Sequence, residues 1–152
     1  MPAAKILAVD DESDLTELIS YHLGRNGHLV DTAANGWEAI EQVTRNRPDL
    51  ILLDLMLPDL DGFGFCEILR RNPATATIPI IIISAWASQD SRLLGLELGA
   101  LDYITKPFSP HVLVERVNRF LNLRANRTAE SALVHDPIDI DRNLPTGMSR
   151  KL

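Results

Sequence analysis

Apolar residues in this chain follow two patterns that alternate from its start. The first is the short unbroken run, seen in Ile6-Leu7-Ala8-Val9, Leu50-Ile51-Leu52-Leu53 and Ile80-Ile81-Ile82-Ile83. Runs of this length, rich in Leu and β-branched residues, suit strands covered on both faces, as in a parallel sheet layered between helices. The second is apolar spacing near the helical repeat. Together they predict a strand over 5–9 and a helix over 14–25 carried by Leu15, Leu18, Ile19, Tyr21, His22 and Leu23. A weaker strand over 28–33 follows, then a helix opened by Asn35-Gly36 that holds Trp37, Ala39, Ile40 and Val43. A strand over 49–54, a helix over 62–71, a strand over 78–84, a helix over 88–98, a short strand over 101–104 and an amphipathic helix over 109–124 complete the series. Starts and stops are also marked. Ser13 or Asp14 would cap the first helix, Asp14 with Glu17 fits a capping box, and Asn26-Gly27 ends it through the left-handed conformation. Asn72-Pro73 and Gly99 stop two later helices.

A βα unit repeated five times, with short connections and right-handed crossovers, predicts a doubly wound α/β domain of flavodoxin-like topology. Its five parallel strands should run in the order 2-1-3-4-5 with helices on both faces. The functional crevice of such a sheet lies beyond the carboxyl ends of the strands, at the switch point between strands 1 and 3. Residues 1–124 account for this domain. Residues 125–152 show no clear helical period, include Pro137 and Pro145, and balance basic against acidic residues. They read as a C-terminal extension or linker, with a strand at 138–140 as one option.

A chain of 152 residues, 45% hydrophobic and 24% charged, has the make-up of one soluble globular domain. Its net charge of −6 argues against nucleic acid as a direct ligand of the folded part. The single cysteine, Cys66, rules out an internal disulfide and a cysteine-based metal cluster, and its place in an apolar helical pattern reads as a buried, inert thiol. Every apolar run is broken within about eight residues, short of the ~20 that a membrane span requires, and no stretch reads as a signal peptide. A cytoplasmic protein without membrane association is expected.

The chemistry lies where the apolar runs end. Val9 leads into Asp10-Asp11, Leu53 into Asp54, Ile83 into Ser84, and Tyr103-Ile104-Thr105 into Lys106-Pro107. The predicted topology gathers these three carboxylates, a hydroxyl and an ammonium at one sheet edge. Clustered carboxylates resist joint ionisation unless a cation sits among them, so Asp10, Asp11 and Asp54 point to Mg²⁺ or a similar hard ion. A carboxylate closing a fully apolar strand, as Asp54 does, is costly unless it faces a site. Lys106 suits pairing with Asp54 and then with phosphoryl oxygens, and the Ser84 hydroxyl suits a bond to another such oxygen. Blander readings exist for each. Asp10-Asp11-Glu12 would serve as a solvated loop favouring the next helix, Asp54 and Ser84 as turn residues, and Lys106 as a snorkelling surface lysine. Their coincidence at four strand ends favours a site for a divalent metal and a phosphoryl group.

Four segments carry a family resemblance: K-I-L-A-V-D-D-E (5–12), D-L-I-L-L-D-L-M-L-P-D-L-D-G (49–62), I-I-I-S-A (81–85) and G-A-L-D-Y-I-T-K-P-F (99–108). In order, spacing and residue type the chain resembles the CheY-like receiver domain of two-component response regulators over roughly residues 4–124. That resemblance implies that Asp54 accepts a phosphoryl group from a sensor histidine kinase or phosphotransfer protein. It implies that Asp11, Asp54 and the backbone carbonyl of Met56 hold Mg²⁺, or Mn²⁺ in its place, with Asp10 acting largely through water. Ser84 and Lys106 would hold phosphoryl oxygens, Tyr103 would be the aromatic switch that rotates inward as the Ser84 loop moves, and the Lys106-Pro107 peptide would be cis. Met56 and Trp86, two residues beyond Asp54 and Ser84, fall where the family varies side chains that control water access. A thioether and an indole there imply a long-lived phosphorylated state. Such a domain catalyses its own phosphorylation and dephosphorylation and acts as a signalling switch, not a metabolic enzyme.

In the DNA-binding OmpR/PhoB branch of that family, charged pairs join two receivers across a face that corresponds here to 88–98, 101–104 and 109–121. Arg92, Asp102 and Arg116 match the pattern, whereas Leu101 and Val112 stand where acidic residues are usual. A more apolar contact is therefore expected, whether with an output protein or domain or with a second copy. Residues 125–152 are too few for a winged-helix output domain, so the chain is either a single-domain regulator or the receiver piece of a longer protein. A haloacid-dehalogenase-type phosphatase would require a second Asp two positions after its nucleophile, but Asp10 is followed there by Glu12 and Asp54 by Met56. A flavodoxin-like cofactor binder would have to cradle phosphate in a loop that begins Asp10-Asp11-Glu12, which repels it. The stronger alternative is a degenerate receiver acting as a phosphorylation-independent scaffold or interaction module, and the complete set of site residues stands against it.

Overall fold

Strands lie where the unbroken apolar runs predict them. The computed structural model describes residues 3–134, with side chains through residue 122. The elements are β1 (Lys5–Val9), α1 (Ser13–Arg25), β2 (Leu29–Ala33), α2 (Gly36–Arg45), β3 (Leu50–Leu53), α3 (Gly62–Arg71), β4 (Ile80–Ser84), α4 (Gln89–Glu97), β5 (Asp102–Thr105) and α5 (Pro110–Val134). All four strand pairs are parallel, in the order β2-β1-β3-β4-β5. This is the predicted flavodoxin-like winding, with its switch point between β1 and β3.

Every residue of β3 and β4 is buried, as a run with no polar face requires. On one side of the sheet Leu7, Val9, Ile51, Leu53, Ile80, Ile82 and Tyr103 share a core with Ala39 and Val43 of α2 and with Phe65, Cys66 and Leu69 of α3. The intervening Ile6, Ala8, Leu50, Leu52, Ile81, Ile83 and Ile104 are equally buried and, by the two-residue alternation of a strand, point to the other side. There α1 packs against β1 and β2 and buries Ile19 and Leu23. Each such Leu or Ile contributes about 1.5–3 kcal/mol on burial, which holds the strand ends rigidly in place.

The chain divides into two compact units, residues 1–115 and 116–152, and the sheet belongs to the first. In the second, α5 runs on to Val134 and buries Val117. The helix thus continues ten residues past its expected end at 124. No Gly or Pro interrupts 125–134, and Ala125, Arg127, Ala129, Glu130, Ala132 and Leu133 are strong helix formers, so propagation needs no apolar period. The strand considered at 138–140 lies outside the described residues. At the other end of the chain, the capping box of Asp14 and Glu17 does not form. Glu12 occupies the N-cap of α1 without a side-chain cap, and Ser13 is already inside the helix. Glu12 is recruited elsewhere: its N–H donates to Asp10 Oδ1 at 2.9 Å and its carboxylate accepts from Lys106. Helix α1 is followed by Gly27 at φ +89°, and Gly99 after α4 adopts φ +94°, both consistent with the left-handed stops read from sequence.

Register completes the frame. Val9 stands opposite Leu53, so Asp10 and Asp54 leave neighbouring strands at the same level. Ser84 pairs with Thr105, which puts Lys106 one residue above it.

Candidate functional site

Asp10 and Asp54 are 4% and 5% exposed, whereas Asp11 faces solvent. Carboxylate oxygens of all three lie within 4.8 Å of one another. The backbone pins the two buried members, with Asp10 N–H donating to Ala33 O and Asp54 N–H to Val9 O, both at 3.0 Å. Lys106 spans the cluster. Its Nζ lies 2.8 Å from Asp10 Oδ2, 2.9 Å from Glu12 Oε1 and 3.2 Å from Asp54 Oδ2. The Lys106–Pro107 peptide is cis, and Lys106 N–H donates to Ser84 O at 2.8 Å.

Burial pushes the Asp10 carboxyl above its ordinary pKa; the charge of Asp54 adds to this, and hydrogen bonds from Lys106 and from the Glu12 backbone only partly offset it. For Lys106, burial works against the ammonium, but hydrogen bonds to Asp10 and Glu12 and the charge of Asp54 outweigh it and raise its pKa. One ammonium set among four carboxylates leaves an excess of negative charge. Three hard oxygen donors at this spacing fit Mg²⁺, which takes one or two carboxylates directly and keeps several waters, and Mn²⁺ accepts similar ligands.

The cluster opens on a cleft of about 1040 Å³ lined by Asp11, Asp14, Leu18, Met56, Ala85 and Phe108, among others. Met56 is half exposed there, and its N–H donates to Asp54 Oδ1 at 3.1 Å. Trp86 does not join that wall. Its ring stacks on Phe63, with centroids 6.2 Å apart, and remains 40% exposed. Ser84 is fully buried, and its Oγ accepts from Trp86 N–H at 3.1 Å. Tyr103 lies inward, with its hydroxyl donating to the Trp86 carbonyl at 2.7 Å and the Arg92 guanidinium 5.6 Å from its ring centroid. Asp10, Asp11, Asp54 and Lys106 therefore meet directly. Ser84, Trp86 and Tyr103 form an adjoining hydrogen-bonded chain.

Two participants escaped sequence reading. Glu12 was read only as part of an acidic loop, yet it is a partner of Lys106. Asp59 accepts from Gly36 N–H at 2.8 Å and Trp37 N–H at 3.1 Å, tying the loop after β3 to the start of α2. The one available signal was its place in an Asp-rich stretch after Pro58.

A doubly wound sheet with an acidic cluster at its switch point, bridged by a lysine from the last strand, defines the receiver class of signalling domain. The chain belongs to the response regulator receiver domain family, whose model matches residues 6–118. It is 42% identical over 135 residues to the alkaline phosphatase synthesis transcriptional regulatory protein PhoP of Bacillus subtilis, covering 89% of this chain and 55% of that protein. To the phosphate regulon transcriptional regulatory protein PhoB of Klebsiella pneumoniae it is 37% identical over 139 residues, covering 91% and 61%. The solved receiver domain of the Francisella response regulator 1452 superposes with a TM-score of 0.71 at 37% identity, covering 76% of this chain and 93% of that one. The chain spans 55% and 61% of the length of these two curated relatives. Membership makes this a two-component receiver, a phosphorylation-activated switch. Among the described residues, no helix is long and apolar enough to cross a membrane.

Proposed function

We propose that Asp54 accepts a phosphoryl group from a sensor histidine kinase or phosphotransfer protein in the cytoplasm, with Mg²⁺ or Mn²⁺ bound, and that the modified site alters the partner-binding surface. The observation that carries this reading is a buried strand-end carboxylate held 3.2 Å from Lys106 Nζ beside two further carboxylates. An Asp54 oxygen attacks phosphorus while the bond from phosphorus to the donor imidazole nitrogen breaks and its electron pair returns to the imidazole, leaving an acyl phosphate. Asp10, Asp11, Asp54 and the Met56 carbonyl would hold the metal, which supplies charge neutralisation to the transferring group. Lys106 exchanges a carboxylate for a phosphoryl oxygen. Ser84 turns its hydroxyl proton to another phosphoryl oxygen and moves the Trp86 backbone that it now holds. Tyr103, bonded to the Trp86 carbonyl, follows. The phosphoryl group thus favours the arrangement it binds better, which is a population shift.

Leu93, Leu101 and Val112 are 51%, 44% and 36% exposed, which supports an apolar partner contact on the face that includes α4, β5 and the start of α5. The relatives' names suggest a transcriptional output, with the acidic receiver itself not touching nucleic acid. The test is intact-mass measurement after incubation with acetyl phosphate. Wild type should gain one phosphoryl group only when Mg²⁺ or Mn²⁺ is present, and Asp54→Asn should gain none. Normal modification of Asp54→Asn would defeat the nucleophile assignment. No modification of wild type would favour a phosphorylation-independent scaffold.

A further inference from the structure

The first four N–H groups of a helix have no partner within it. In α2 those of its first three residues are satisfied, and from two different sources. Asn35 takes the third: its Oδ1 accepts from Glu38 N–H at 2.8 Å, while its carbonyl accepts the first bond of the helical ladder, from Ala39 N–H at 3.1 Å. The first two, Gly36 and Trp37, donate to Asp59 Oδ1 and Oδ2 at 2.8 and 3.1 Å. Asp59 belongs to the loop between β3 and α3, three residues past Met56. The contact is close as well as polar, since a Cβ on Gly36 would stand 2.6 Å from Leu60 O and 2.7 Å from Leu60 Cβ. Slight burial works against the Asp59 charge, but backbone N–H donors from Gly36, Leu60 and Trp37 outweigh it and hold its carboxyl below the usual range. The positive end of the helix dipole favours the same charge.

From this we infer that Asp59 is a positioning residue for the metal site, fixing the Met56 carbonyl by clamping its loop to the N-terminus of α2. The inference rests on the metal reading above. Pro58 lies between the two residues, locks its own φ and restricts Leu57 to extended conformations. The segment from Met56 to Asp59 therefore has little internal freedom, and anchoring one end sets the other. The loop's root is held separately, by Gly62 N–H on Leu55 O at 2.9 Å and Met56 N–H on Asp54 Oδ1. Asp54 itself is fixed by β3 and does not depend on the clamp. Because Mg²⁺ demands near-ideal octahedral geometry, a displaced backbone ligand weakens binding even where the carboxylates stay in place.

Calorimetric titration of the full chain with MgCl₂ tests this. Asp59→Ala should weaken Mg²⁺ binding about tenfold, the low end for groups that orient a metal ligand. Asp59→Asn, which keeps one acceptor oxygen, should fall between it and wild type. Asn35→Ala removes the other cap of the same helix and should lower Tm comparably while keeping wild-type Mg²⁺ affinity. That separates positioning from general loosening. Affinity within about twofold of wild type in both Asp59 variants, or equal weakening in Asn35→Ala, would overturn the inference. Asp11→Asn serves as the control on the site: if it binds Mg²⁺ as tightly as wild type, the metal reading falls and takes the clamp with it.

Discussion

Replacing Lys106 by Met keeps most of the side chain's length and removes its charge, which isolates what the ammonium contributes. Its side chain is 15% exposed and touches Asp10 and Asp54, whose side chains are 5% and 6% exposed. The third partner, Glu12, is 63% exposed, so that arm is worth little. Without the ammonium, two buried carboxylates face one another uncompensated. Removing one partner from a buried pair costs about 3–5 kcal/mol, and the lower end applies here because the cleft admits water beside them and Asp10 can take up a proton. A loss of about 3 kcal/mol corresponds to roughly 10 °C in Tm for a domain of this size. The loss should depend on pH. Burial first, and then the Asp54 charge, already raise the Asp10 pKa, so the folded state holds that proton more tightly than the unfolded chain. The associated stability is present below the usual carboxylate pKa and is lost as pH rises through the raised folded value. Lys106→Met removes two influences that lower this pKa, so the falling limb extends to higher pH. Urea unfolding in EDTA should show the largest deficit near about pH 8 and a smaller one near about pH 5. Mg²⁺ at about a hundred times its Kd should return about 2.7 kcal/mol at neutral pH. A deficit below about 1 kcal/mol in EDTA near pH 8, or one that does not change with pH, would refute the reasoning.

Three further outcomes are expected. Cys66 is 1% exposed and burial raises its thiol pKa to about 11, so a thiol reagent near neutral pH should label it only in urea, and rapid labelling of folded protein would show that α3 opens. Met56 lines the cleft whereas Trp86 stacks on Phe63, so Met56→Asn should speed hydrolysis of the acyl phosphate more than Trp86→Glu does, and an unchanged rate in the double variant would count against screening of water. Self-association of the beryllofluoride-treated protein, followed by sedimentation, should resist added salt and be weakened by Leu101→Asp or Val112→Glu; dissociation by salt alone would favour an ionic contact, since exposed pairs are screened within a Debye length of about 8 Å.

The most legible parts were those whose residues answer to one dominant force. The apolar runs of β1, β3 and β4 are buried on both faces, so composition alone identifies them, and the residue that ends each run is exposed to whatever chemistry the sheet edge supports. Strand β2 was a weaker signal for a physical reason. It lies at the edge of the sheet, and its Leu29 is 65% exposed, so no uniform burial shapes its sequence. Local rules failed where a distant partner outbid a near one. Glu12 could not be read as the α1 N-cap because its choice depends on Lys106, 94 residues away. Asp59 carried no local signal of its role because Gly36, whose N–H donates to it, lies 23 residues earlier. The direction of the Trp86 ring depends on Phe63, which sequence spacing does not reveal.

The same difference in burial bears on how a signal would leave the site. Helix α3 buries Phe65, Cys66 and Leu69, each no more than 2% exposed, so moving it would uncover a large apolar surface. In α4 only Gly95 is buried, while Leu93, Leu94 and Leu96 are about half exposed. Little apolar burial is forfeited when α4 shifts, which puts it among the elements that open most readily. Gly95 also sits directly over Tyr103, the switch proposed above: a Cβ there would stand 2.9 Å from Ile82 Cδ1 and 3.0 Å from Tyr103 Cδ2. The helix backbone thus rests on the Tyr103 ring with no side chain between them to absorb a displacement. Any movement of that ring, whose hydroxyl is tied to the Trp86 carbonyl beside Ser84, must be met by α4 itself. The deeply packed strand ends hold the proposed phosphoacceptor Asp54 still, and the lightly packed helix above Tyr103 is the element whose position can change at least loss of burial.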